Sequence, residues 1–147
     1  MRVLIQRVKE ARVTVEEKVV GEISGGLLLF LGIHKDDREE KIPWLVNKIV
    51  NMRIFEDDQG KMNRSIIDAQ GRILVVSQFT LYGDCDKGRR PSFTETMPPT
   101  QARLYYESFA VQLRYKMGAD AVEMGSFGSH MEVHLVNNGP VTFLLSR

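Results

Sequence analysis

Apolar positions recur along the chain with two periods, and the changes between them mark out its elements. Val3, Ile5 and Arg7 alternate with Leu4, Gln6 and Val8, and Val13 and Val15 alternate with Thr14, the period of two that predicts strands packed on at least one face. Glu16-Glu17-Lys18 separates the second of these from Val19–Ile23, and Ser24-Gly25-Gly26 precedes the run Leu27-Leu28-Leu29-Phe30-Leu31-Gly32-Ile33. Unbroken apolarity of that length predicts a central strand buried on both faces. The period then lengthens. Ile42, Leu45, Val46, Ile49 and Met52 follow helical spacing after Asp36 and Asp37, which are expected to cap the helix. Pro43 sits harmlessly in the first turn if the helix begins near Lys41 and distorts it if the start is Arg38.

A short strand Arg53–Glu56, a polar loop at 57–61 and a tight turn at Asp68-Ala69-Gln70-Gly71 lead into the strand Arg72–Val76. The stretch from Gly83 to Thr100, with Pro91, Pro98 and Pro99, is long and irregular, which in a folded protein suggests a functional surface loop. Thr100 is expected to cap a second helix that turns Leu104, Tyr105, Ser108, Phe109, Val111, Leu113 and Met117 to the core and ends at Gly118. Strands at Ala121–Met124, Met131–Val136 and Val141–Leu145 follow. Short links between strands favour antiparallel pairing. The expected fold is α+β and strand-rich, a curved, antiparallel-dominated sheet or partly closed barrel with two main helices, in one domain over residues 1–147.

Composition narrows the function classes. With 147 residues, 43% hydrophobic and 27% charged, the sequence has the balance of a soluble globular protein, and no apolar stretch approaches a membrane span. The one cysteine, Cys85, has no internal disulfide partner, and His34, His130 and His134 are too scattered for a metal site, so no metal or cofactor is expected and a reducing cytoplasm fits best. A net charge of +1 gives no global footprint for nucleic acid. Any such contact must be local, and Lys87-Gly88-Arg89-Arg90 is the candidate patch.

Candidate chemistry gathers where Val75-Val76 runs out into Ser77-Gln78-Phe79-Thr80. Polar side chains and exposed N–H groups at a strand end can bind an anion or an oxyanion, or can merely satisfy local backbone. No His or Lys nearby in sequence completes a Ser or Thr nucleophile. Asn137-Asn138-Gly139-Pro140 interrupts the last apolar runs and reads either as a plain turn or as a rigid loop placed in a site.

Taken together, Leu4-Ile5-Gln6-Arg7-Val8, Ser77-Gln78-Phe79-Thr80-Leu81, Arg90-Pro91-Ser92-Phe93 and Val136–Phe143 resemble the D-aminoacyl-tRNA deacylase family, in its order and spacing and over essentially the whole chain. The resemblance implies hydrolysis of the ester joining a D-amino acid, or glycine, to the 3′-terminal adenosine of tRNA. It places Gly139 and Pro140 at the family's Gly-cisPro motif, which enters the partner's site in a homodimer and excludes L substituents. Arg7 corresponds to the arginine that props this loop, Ser77 and Met131 to residues of the pocket, and Gln78, Phe79 and Thr80 to the catalytic segment. Backbone N–H groups near Phe79 and Thr80 would hold the oxyanion, with the adenosine against Phe79. Either Thr80 or, as the better fit to the missing acid/base pair, the adenosine 2′-OH assists the attack. Lys87, Arg89 and Arg90 are expected at tRNA phosphates. The alternative is a nucleic-acid-binding module of the same fold without hydrolysis.

Overall fold

The computed structural model describes residues 1–147. Its spine is β1 (Arg2–Val15), a single strand of fourteen residues where the sequence pattern suggested two. A two-residue turn, with Glu16 at φ 48° and Glu17 at φ 64°, folds β1 back onto β2 (Lys18–Ile23). Next comes β3 (Gly26–Gly32), antiparallel to the first half of β1 and buried along nearly its whole length, as its composition predicts.

The helix α1 (Ile42–Asn51) follows a 3-10 turn at Glu39–Lys41 and holds Pro43 in its first turn, the harmless placement. Neither Asp36 nor Asp37 caps it. Asp37 instead accepts hydrogen bonds from the His34 N–H, from Lys41 Nζ and from the Met1 ammonium. Ile42, Leu45, Val46, Ile49 and Val50 form its buried face, each contributing about 1.5–3 kcal/mol of burial. A small hairpin of β4 (Phe55–Glu56) and β5 (Met62–Arg64) stands apart from the main sheet. β6 (Arg72–Ser77) then enters beside β3.

α2 (Pro99–Met117) begins with Pro98 rather than Thr100 at its N-cap and ends on Gly118. Its buried residues are Tyr106, Phe109, Ala110 and Leu113, while Leu104 and Val111, expected inside, face solvent. Helical spacing identifies apolar positions without saying which of two adjacent stripes the sheet will cover. β7 (Val122–Met124) pairs with β6, and β8 (Glu132–Ser146) runs antiparallel to β1 over almost all of its length.

The β3–β6 and β6–β7 pairings are parallel, whereas the short links suggested antiparallel neighbours throughout. Each parallel pair is bridged by a helix, α1 for the first and α2 for the second, and that crossover makes parallel pairing possible. The three pairings of β1 remain antiparallel, so the strand-rich α+β architecture with a curved sheet and two main helices is as expected. Curvature brings β2 against β7: a Cβ on Gly21 would lie 2.6 Å from the Met124 carbonyl oxygen, so only glycine allows this near-closure into a barrel.

Two cores result. Val3, Ile5, Leu27, Leu29, Leu31, Ile73 and Val75 meet the helices, and Val8, Ala11, Val13, Leu28, Leu74 and Val76 fill the concave side. Ile5 and Ala11 are both odd-numbered yet lie on opposite faces. A register shift between Val8 and Glu10 reverses the parity of β1, as a bulge must when side chains alternate with a period of two.

Candidate active site

The site forms at the carboxyl ends of the parallel strands, the usual place for a crevice in sheets with helical crossovers. The β3–β6 ladder runs one residue past its last pair, with the Gln78 N–H donating to the Leu31 carbonyl at 2.8 Å. The chain then tightens into a 3-10 turn at Phe79–Tyr82. Within this turn Leu81 N–H donates to the Gln78 carbonyl and Gly83 N–H to that of Thr80. The geometry of the turn gives the N–H groups of Phe79 and Thr80 no acceptor inside it. These are the donors that an oxyanion could use.

Beside the turn lies a cavity of about 490 Å³, bounded by the ends of β3 and β6, the first turns of α2 and the segment 127–133. Ser77, Gln78, Phe79 and Met131 all line it. Thr80 does not, and its hydroxyl accepts from the Gln78 side-chain amide. Phe79 is 57% exposed and meets Phe93 edge-on, ring centres 5.0 Å apart, so the irregular loop supplies one lip of the cavity. A flat ring set against this lip can stack. Lys87, Arg89 and Arg90 are exposed farther along the same loop, which is closed by paired hydrogen bonds between Asp84 and Ser92.

Sequence reasoning missed the opposite wall. Tyr106 and Phe127 line it, with ring centres 5.6 Å apart, and the helical spacing had turned Tyr105 to the core, whereas Tyr106 is the more deeply buried of the two. The Tyr106 hydroxyl donates toward the carbonyls of Val75 and Gly125, at 2.8 and 3.1 Å, so it ties β6 to the end of β7. Burial pushes its pKa up, and burial together with the charge of Asp37 pushes that of Tyr82 up to about 12. Both phenols stay protonated at neutral pH and cannot act as bases. The cavity has no carboxylate, and its one imidazole, His130, is exposed. No group of three His, Cys, Asp or Glu side chains is placed to hold a metal ion.

Gly139 and Pro140 lie elsewhere. The β1–β8 register passes from Gln6↔Thr142 to Val8↔Asn137, so residues 138–141 bulge out of the ladder opposite Arg7. The expected pair of strands joined by a turn is therefore one strand with an outward loop. The peptide bond between Gly139 and Pro140 is cis, and both residues are exposed. Asn137 braces the loop from within, accepting from the Val141 N–H at 2.8 Å. Arg7, 3% exposed, braces it from below: Nε donates to the Asn138 carbonyl at 2.9 Å, Nη1 to that of Ile54 at 2.7 Å, and Nη2 meets a Glu56 oxygen at 3.3 Å.

A family model described as D-Tyr-tRNA(Tyr) deacylase matches residues 4–146. The chain belongs to the D-aminoacyl-tRNA deacylase family. Among the relatives that bear this name, the protein of Thermotoga petrophila is 58% identical over 99% of this chain and 96% of its own length. That of Thermosipho africanus is 56% identical with the same coverage. A solved structure described as the c-Myc DNA Unwinding Element Binding Protein superposes with a TM-score of 0.95 at 41% identity, covering 100% of this chain and 99% of the other. A second, described as a probable eukaryotic D-amino acid tRNA deacylase, shares the fold at a TM-score of 0.86 and 20% identity, over 98% and 97% of the two chains. The deacylase family is one of ester hydrolases. No helix is long and apolar enough to cross a membrane.

Proposed function

We propose that the protein hydrolyses the ester of D-aminoacyl-tRNA, and of glycine carried on tRNA, as a homodimer whose two sites are each built from both subunits. The observation that carries this reading is a separation. Met131 lines the cavity, but the strand between it and Gly139 covers roughly 25 Å at about 3.3 Å per residue, so the bulged loop stands far from its own cavity. A second copy of the chain is what brings Gly139-Pro140 to the Ser77–Phe79 wall. β8 suits such a partner, since beyond β1 it has no neighbour and it exposes Val136, Phe143 and Leu144.

In this arrangement the partner's loop fills the volume that an L substituent needs, and the D side chain points to open solvent. Exclusion serves many amino acids where gripping each one would not, and it necessarily lets glycine through. The adenosine stacks against Phe79. The N–H groups of Phe79 and Thr80 hold the oxyanion as water attacks the ester carbonyl, at about 3–4 kcal/mol for a well-placed donor. With no base in the cavity apart from the exposed His130, the 2′-OH of the terminal adenosine orients the water and relays a proton. The 2′-oxygen takes a proton from the attacking water and gives its own to the 3′-oxygen as the C–O ester bond breaks, so the 2′-hydroxyl is regenerated and the amino acid leaves as the free acid. Lys87, Arg89 and Arg90 meet tRNA phosphates, and the work is done in the cytoplasm, where charged tRNA is used.

A second reading, binding of nucleic acid without hydrolysis, is favoured by the 41% identical structure, which is described as that of a protein binding a DNA unwinding element. Matched D- and L-aminoacyl-tRNA incubated with the protein separate the two. Selective loss of the D ester is expected. Binding with both esters intact would establish the second reading instead.

A further inference from the structure

The Arg7 guanidinium is buried and charged, so its direction is set by what it touches. Its planar fork makes those contacts interdependent: once Nη1 and Nη2 are placed, Nε has one direction left. Both of those partners, the Ile54 carbonyl and the Glu56 carboxylate, come from one short segment made of β4 and the residue before it. The Ile54 side chain is 5% exposed within the helix-side core, which anchors its carbonyl. Glu56 is the one carboxylate that ion-pairs with Arg7. The third contact is the Asn138 carbonyl, immediately before Gly139.

We infer that Glu56 is a positioning residue for the Gly139-Pro140 loop, acting through Arg7. Neutralising a desolvated guanidinium is what keeps it seated, because without an anion it is drawn toward water or toward other acceptors. Its fork then turns, and the Asn138 carbonyl turns with it. A wall that discriminates by exclusion tolerates little displacement, so loosening it admits the L enantiomer, whose side chain points at the wall, without disabling the oxyanion donors. The hairpin thereby sets the stringency of the loop through Arg7. This inference rests on the reading of Gly139-Pro140 as the chiral filter.

The Glu56 side chain is 57% exposed, so replacing it does not open the core. The test compares rates of D- and L-ester loss from tRNA for the wild type, E56A, E56K and E56Q, with dimer content and melting temperature measured on the same samples. E56A is expected to lower the D-over-L ratio about tenfold through faster loss of the L ester, and E56K to lower it further. E56Q keeps a hydrogen-bond acceptor and should recover most of the ratio. An unchanged ratio in folded E56A and E56K overturns the inference, and so does a fall caused only by slower D hydrolysis, which is what general loosening would give. Gly139→Ala, assayed alongside, separates the two levels. If that variant also keeps its ratio, the filter reading itself fails; if it loses its ratio while E56A and E56K do not, only the role of Glu56 falls.

Discussion

Arg7 Nε donates a 2.9 Å hydrogen bond to the Asn138 carbonyl at a break in the β1–β8 register. No β8 residue pairs with Arg7 through the backbone, so the side chain takes over where the ladder lapses. Replacing Arg7 with Ala leaves two carbonyls short of a donor and a void beneath the loop. Unfolding by denaturant should show a loss of roughly 2–4 kcal/mol, together with a reduced D-over-L ratio. Arg7→Lys is expected to restore little of either, because one ammonium cannot reproduce the fork.

Gly139 adopts φ 149°, and a Cβ there would lie 2.5 Å from Val141 Cγ2 and 2.7 Å from the Val141 nitrogen. Gly139→Ala must therefore move the loop, at a cost on the order of 1–3 kcal/mol. Faster hydrolysis of the L ester, with the donors at Phe79 and Thr80 untouched, is the expected signature in a single-turnover assay.

Thr80 turns its hydroxyl to Gln78 and does not line the cavity. Thr80→Ala should accordingly keep most of its single-turnover rate, within about tenfold of wild type. A loss of roughly 10⁴-fold or more, as when a nucleophile is deleted, would put the chemistry on Thr80 and remove the 2′-OH from it.

If Lys87 and Arg89 neutralise tRNA phosphates, the double alanine variant loses affinity chiefly at low salt. Each lost contact flattens the plot of log affinity against log salt by roughly 0.7–0.9. Filter binding across a salt series reads the slope directly, and parallel lines would remove these residues from the interface.

Asp37 offers a test of stability. Burial pushes its carboxyl up, but hydrogen bonds from Lys41, from the Met1 ammonium and from the His34 N–H outweigh that, holding its pKa below the usual range. Its contribution is complete above the unfolded carboxylate value of about 3.9 and is lost as pH falls through the folded value. The gap in denaturation midpoint between wild type and Asp37→Asn should be level from about pH 6 to 5 and should narrow below about pH 4.

Much of this molecule is written in local pattern. The double-sided burial of Leu27–Leu31, the amphipathic α1 and the strand ending at Ser77 each follow from spacing that neighbouring residues enforce on one another. What local pattern lacks is register. Met131–Val136 and Val141–Leu145 look the same whether a turn joins them or one long strand bulges, and only pairing with β1, far away in sequence, decides between these. For the same reason Ile54 and Glu56 gave no sign of their part: an arginine in β1 advertises a need for acceptors without naming them. Leu104 and Val111 show the converse, apolar residues at helical spacing that the sheet leaves uncovered.

The β1–β8 ladder joins residues that lie more than a hundred positions apart, from Thr14↔Glu132 to Arg2↔Ser146. Pairings of such high sequence separation are slow to form, since the chain between them must be closed before the contact compensates for it. On the ribosome, β1 can hairpin with β2 and β3 early, but its other edge stays bare until residues 132–146 emerge. A nascent chain at that stage carries an unpaired strand edge, the kind of surface that recruits chaperones or pairs with a neighbouring chain. The bulge that presents Gly139-Pro140 belongs to this last ladder, so it takes shape only once the first-made and last-made strands have met.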